Sequence, residues 1–162
     1  MPFSNFYSKE SSGKAVVSGF GSNQVNWIKN LDGSFREESE SDGKLRSAEA
    51  RLMSNSVCVK MYAKRRKRPS IASSHVCAQV MQRDARHPGG VCTGDSGSPL
   101  VVHDASDGPT VVGILNVSPP GCKENKYPSI YARVSAYGDF VRNAVRGRLT
   151  PDMRLSTRER RY

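Results

Sequence analysis

Between Cys92 and Leu100 the chain reads Cys-Thr-Gly-Asp-Ser-Gly-Ser-Pro-Leu. Ser96 stands there between Gly94-Asp95 and Gly97, a run poor for helix and poor for strand. Flanking glycines allow a sharp turn with backbone angles that other residues resist. Such a turn lifts a hydroxyl clear of the main chain and aims consecutive N–H groups one way. An exposed hydroxyl can attack a carbonyl, and converging N–H groups can stabilise the oxyanion that forms. The apolar run from Pro99 to Val102 reads as the buried strand that holds the turn. The same residue types also make ordinary surface turns, so the surrounding pattern has to decide.

That pattern has four parts. Cys92 lies four residues before Ser96, and Cys122 follows the next strand-like run. Tyr131-Ala132-Arg133-Val134-Ser135-Ala136-Tyr137 leads into an amphipathic segment, and Val17-Ser18-Gly19-Phe20-Gly21 lies near the start. In this order and at this spacing the motifs resemble the chymotrypsin/trypsin family of serine endopeptidases. The resemblance covers about residues 15–147. It implies an all-β fold: a six-stranded antiparallel Greek-key barrel, the second half of a trypsin-like double barrel, with a C-terminal helix. Residues 1–14 would be a lead-in and 148–162 a basic tail.

Residue by residue, the resemblance makes Ser96 the nucleophile and the N–H groups of Gly94 and Ser96 the oxyanion hole. It gives Asp95 an activation-linked role, buried against a new α-amino group made by proteolysis. No Ile-Val-Gly-Gly-like start is present to supply that amine, which leaves a solvated turn carboxylate as the other reading. The substrate pocket maps to a floor of Gly90 and Val91 and walls of Asn116, Val117, Ser118 and Ser129. No carboxylate stands at the floor, which disfavours Arg or Lys before the cut. Ser118 and Ser129 replace glycines that keep the slot open for large aromatics, so a small or medium apolar residue is expected. Asn116 and Val117 stand where the family usually has Ser and Trp, and they make the pocket non-standard. The resemblance also pairs Cys58 with Cys77 and Cys92 with Cys122, each pair worth roughly 3–4 kcal/mol through loop-closure entropy. A further family disulfide would join the positions of Ala15 and Val102, both small apolar residues in this chain.

The base is missing. A serine hydroxyl is a weak nucleophile without one, and in this family the histidine and aspartate come from the first barrel. His75, His87 and His103 are the histidines present, and none sits in an Ala-Ala-His-Cys context. Loss of the base costs on the order of 10⁶ in turnover. The chain therefore reads as a partial endopeptidase, inactive alone. The alternative is a non-catalytic homologue that binds a protein partner or a polyanion.

At 162 residues, one domain can bury a substantial core. Four cysteines without Cys-x-x-Cys or Cys/His ligand spacing suit two disulfides better than zinc. No metal or cofactor is implied. Disulfides point to an oxidising, extracellular setting, yet residues 1–20 carry no apolar core of signal-peptide length and no run suits a membrane span. That conflict is a further reason to expect a piece of a longer protein. Net charge is +10, and the run Lys64, Arg65, Arg66, Lys67, Arg68 is a candidate polyanion contact, with a solvated loop as the plainer reading.

The positioning elements read in order. Ala15-Val16-Val17 is a β-prone run, and 22–42 reads as a long exposed, mobile loop beside the substrate cleft. The span 45–52 has helical propensity, but the resemblance makes it strand, with a short helix opening at Ser54 and carrying Cys58. Thr110–Val117 and Ile130–Val134 are further buried strands. Tyr137, Phe140, Val141, Ala144 and Val145 fall at helical spacing.

Overall fold

The computed structural model describes residues 14–66, 68–81, 90–104, 108–119, 122 and 127–148. The lead-in before residue 14, Lys67, His87 and the tail beyond 148 lie outside the described residues. In chain order the elements are β1 (Lys14–Gly19), β2 (Gln24–Lys29), β3 (Phe35–Glu40), β4 (Arg46–Met53), α1 (Asn55–Tyr62), β5 (His75–Val80), β6 (Pro99–Asp104), β7 (Gly108–Val117), β8 (Ser129–Arg133) and α2 (Gly138–Val145).

Six strands close an antiparallel barrel in the order β1-β4-β5-β8-β7-β6, with β6 pairing back onto β1. The expected all-β barrel with a C-terminal helix is thus present. Inward positions follow the period of two that a pleated strand imposes. Ala15 and Val17 of β1, Ala50 and Leu52 of β4, Val76, Ala78 and Val80 of β5, Leu100 and Val102 of β6, and Tyr131 of β8 meet in one core cluster. β4 shows why local helical propensity loses: Ala50 faces Val80 and Leu52 faces Ala78 across the ladder. Burial and pairing along that edge outweigh a few tenths of a kcal/mol per residue of helix preference.

A smaller cluster fastens α1 to the barrel wall. Ser54 caps the helix by accepting a hydrogen bond from the Val57 N–H, and Cys58 and Tyr62 bury against Cys77 and Ile130. The disulfides are Cys58–Cys77 and Cys92–Cys122, as the resemblance implied. Ala15 and Val102 are register partners across β1 and β6, so the position of the absent family disulfide is a packed pair of small side chains.

One expectation is corrected. The span 22–42 is not a long loop but holds the β2–β3 hairpin, from Gln24↔Glu40 to Lys29↔Phe35. Its reversal at Asn30-Leu31-Asp32-Gly33 is built by hydrogen bonds. The Ser34 amide donates to Asp32 Oδ1, the Asn30 amide to the Ser34 carbonyl, and Gly33 turns with φ +83°. Exposure was expected correctly; the polar composition hid the cross-strand pairing.

The α2 helix begins after a 3₁₀ turn at Val134–Tyr137. Its Phe140, Val141 and Val145 stay exposed, as do Tyr137 of the preceding turn and Val111 and Ile114 of β7. Among the described residues no helix is long and apolar enough to cross a membrane.

Candidate active site

The turn carrying Ser96 is held at both ends. Within it, the Asp95 N–H donates to the Cys92 carbonyl (3.0 Å) and the Ser98 N–H to the Asp95 carbonyl (2.9 Å). Toward the barrel, the Gly97 N–H donates to the Leu115 carbonyl (2.9 Å), and the Leu115 N–H donates back to Ser98 (2.8 Å). Gly94 and Gly97 turn with φ of +92° and +87°, a region costly for other residues. The result leaves Ser96 exposed. The N–H groups of Gly94 and Ser96 engage no acceptor among the described residues.

Asp95 is the anchor. Its side chain is buried, with 9 % of the residue exposed. Oδ1 accepts from the Gly21 N–H and Oδ2 from the Cys92 N–H, both at 2.8 Å. The reading as a solvated turn residue is therefore set aside. Partners missing from the sequence pattern are supplied by two backbone amides, one of them from the far side of β1. A buried carboxylate is tolerable when hydrogen-bonded this way. The approach requires glycine: a Cβ on Gly19 would lie 2.0 Å from Asp95 Oδ1, and one on Gly21 2.4 Å from its carboxyl carbon. The Gly19-Phe20-Gly21 motif is thus the cradle for Asp95, the residue beside Ser96.

The proposed pocket residues take different places. Gly90 is exposed and packs so close to the Cys122 carbonyl that a Cβ would lie 2.1 Å away. Val91 is buried in the barrel core cluster. Asn116 is exposed at a register shift between Leu115 and Val117, where a bulge re-aims side chains. Val117 and Ser118 are half-buried, and Ser129 is buried. Sequence reasoning named Tyr131 within a motif but gave it no place near the site. It is fully buried, and its hydroxyl has no hydrogen-bond partner among the described residues. Burial pushes its ionisation well above the usual tyrosine range; nearby Ser129 works against that shift and the Asp95 charge adds to it. Its place two residues after Ser129 on one strand was the available signal.

No histidine joins this group among the described residues. His75 Nδ1 accepts from the Ala72 N–H (3.0 Å), bracing the approach to β5, and His103 is exposed on β6. No cluster of potential metal ligands is present among the described residues. In the basic run, Lys64, Arg66 and Arg68 are exposed. Arg65 differs: its guanidinium lies over the Tyr127 ring at 5.2 Å, and that ring stacks on Tyr62.

Residues 11–141 match the family model described as Trypsin. The chain is similar to Melanization protease 1 of Drosophila melanogaster, 30% identical over 138 residues, covering 82% of this chain and 29% of that protein. It is similar also to Transmembrane protease serine 7 of Mus musculus, 34% identical over 113 residues, covering 68% of this chain and 12% of that protein. The chain thus spans less than a third of the length of these relatives. Among solved structures, neuropsin, a serine protease expressed in mouse brain, superposes with a TM-score of 0.59 at 23% identity, covering 84% of this chain and 49% of the other. With the barrel, both disulfides and the braced serine turn in place, a family match over most of its length makes this chain a member of the trypsin family.

Proposed function

We propose that this chain carries the nucleophile-bearing half of a secreted serine endopeptidase, with Ser96 as nucleophile and Gly94 and Ser96 N–H groups as the oxyanion hole. The carrying observation is the exposed serine on a turn anchored by buried Asp95, with the Gly94 and Ser96 N–H groups engaging no acceptor among the described residues. One such donor is worth about 2.7–4 kcal/mol in enzymes of this kind. The two disulfides support an oxidising, extracellular setting. The exposed apolar side of α2, with Val111 and Ile114, supports a first barrel packing there. Gly90, Ser118 and Ser129 favour a small or medium apolar residue before the cut.

By itself the 162-residue chain is expected to be inactive, because among the described residues His75 is engaged by the Ala72 amide and His103 sits near the far end of β6 from Ser96. A fluorophosphonate probe should label it at background rate, equal to its Ser96→Ala variant. Adding a first barrel with its own His and Asp should make Ser96 reactive. Fast labelling of the lone chain, lost in Ser96→Ala, would overturn the assignment of an absent base and direct attention to His87.

A second reading, a non-catalytic homologue that binds a polyanion, is favoured by one observation: Lys64, Arg66 and Arg68 project from a disulfide-anchored loop. Heparin retention should then fall steeply with salt as counterions are released. Serine at positions 64–68 should remove most of it, and unchanged retention would eliminate this reading.

A further inference from the structure

The β2–β3 hairpin is tied to the serine turn by side chains as well as by sequence. Thr93, next to Gly94, donates its hydroxyl hydrogen to Glu37 Oε1 at 2.7 Å. Its carbonyl accepts from both the amide and the hydroxyl of Ser22, at 2.8 and 3.0 Å. Glu37 therefore marks which side of the hairpin meets the site. By strand alternation and register, that side carries Val25, Trp27, Lys29, Phe35, Glu37 and Ser39. Trp27 is the direct register partner of Glu37. Trp27 and Phe35 are large and uncovered, 55% and 62% exposed. The opposite side is more self-satisfied, with Arg36 paired to Glu38 at 2.7 Å.

We propose that this side of the hairpin is a substrate subsite, continuous with the serine turn, for an arginine or lysine of a peptide chain bound near Ser96. Two aromatic faces and a carboxylate held still by a threonine form a site for a cation with an apolar stem. The stem lies along Phe35, the charge lies over Trp27, and the second Glu37 oxygen takes the hydrogen bond. Charge favours the same occupant. The hairpin as a whole, residues 24–40, has four carboxylates and two basic side chains in a chain whose net charge is +10, and Glu37 is the carboxylate on this side. Lys29 is the opposing charge on this side, two residues beyond Trp27 on β2, so its contribution is measured separately. Naming the occupant a substrate rests on Ser96 as nucleophile; the binding does not need catalysis.

Trp27 is the sole tryptophan of the chain, so its emission reports occupancy of this surface directly. The 162-residue chain is titrated with a capped Gly/Ser/Ala peptide carrying one arginine, and with the same peptide carrying glutamate instead. The arginine peptide should change Trp27 emission saturably, with affinity that falls as salt rises. Glu37→Gln and Phe35→Ser should each weaken it at least fivefold, while Glu38→Gln, on the opposite side, leaves it unchanged. Urea unfolding of each variant confirms that the fold is kept. Equal response to the glutamate peptide, an unaffected Glu37→Gln variant, or weakening by Lys29→Gln overturns the proposal. So does a change in Trp27 emission on shortening the chain to residue 148, since the occupant is then its own basic tail. Concentration-dependent emission accompanied by dimers in sedimentation overturns it in favour of a second copy. Arginine-peptide binding that persists while a first barrel fails to activate Ser96 sinks the catalytic reading and leaves the subsite standing.

Discussion

The sharpest perturbation is Asp95→Asn, nearly isosteric with the wild type. The carboxylate accepts one hydrogen bond on each oxygen, from Gly21 N–H and Cys92 N–H, both at 2.8 Å. An asparagine side chain has one acceptor oxygen and one NH2 donor. Whichever way it turns, it keeps one of these bonds and aims a donor at the other buried N–H. Losing a bond to a charged group costs about 1.5–3 kcal/mol, and an orphaned buried donor about 1–3 kcal/mol. Burying an amide in place of a carboxylate gives part of this back. The expected net loss is roughly 2–4 kcal/mol. With a urea slope of about 2 kcal/mol/M, the middle of the usual range, the midpoint should fall by about 1–2 M with the disulfides intact. Hydrogen exchange should show the Gly21 and Cys92 amides losing protection ahead of the barrel strands. A midpoint within about 0.3 M of wild type at unchanged slope would refute the argument that two backbone amides hold this carboxylate.

Three other outcomes are expected. The Ala15→Cys/Val102→Cys double variant should oxidise without rearrangement, because these are antiparallel register partners and such pairs lie within disulfide reach; mass spectrometry reads the bond, and persistent free thiols under oxidising conditions would contradict the register. Leu100→Ala should cost about 2–5 kcal/mol in urea unfolding, since Leu100 is fully buried in the barrel cluster beside the serine turn. Tyr131→Phe should be neutral or stabilising at pH 7, because it removes a buried hydroxyl without a partner among the described residues. With the folded ionisation raised above the unfolded value near 10, the native state keeps its proton while the unfolded state loses it. Wild-type stability should thus be whole below about pH 10 and fall as pH rises beyond it. The variant should lose less, with Tyr62, also raised by burial, accounting for part of what remains.

Much of the site was legible from the sequence because its demands are local. Gly94 and Gly97 are needed by backbone angles within a few residues of Ser96, and such needs leave a mark on the residue types themselves. The cysteine spacing and the β-prone runs around Ala15, Pro99 and Thr110 were legible for the same reason. What the sequence left open depended on distant groups. Asp95 read equally well as solvated or buried until the fold brought Gly21, 74 residues earlier, within 2.8 Å. Trp27 and Glu37 lay in a stretch whose polar composition read as loop, because a two-stranded hairpin on the surface needs pairing more than burial. Tyr131 showed as a strand residue, but only closure of β8 against β5 and β7 buried its hydroxyl without a partner. Local conformation is written in residue types; partnership across the barrel is decided by which strands meet, and that follows from burying all the inward side chains at once.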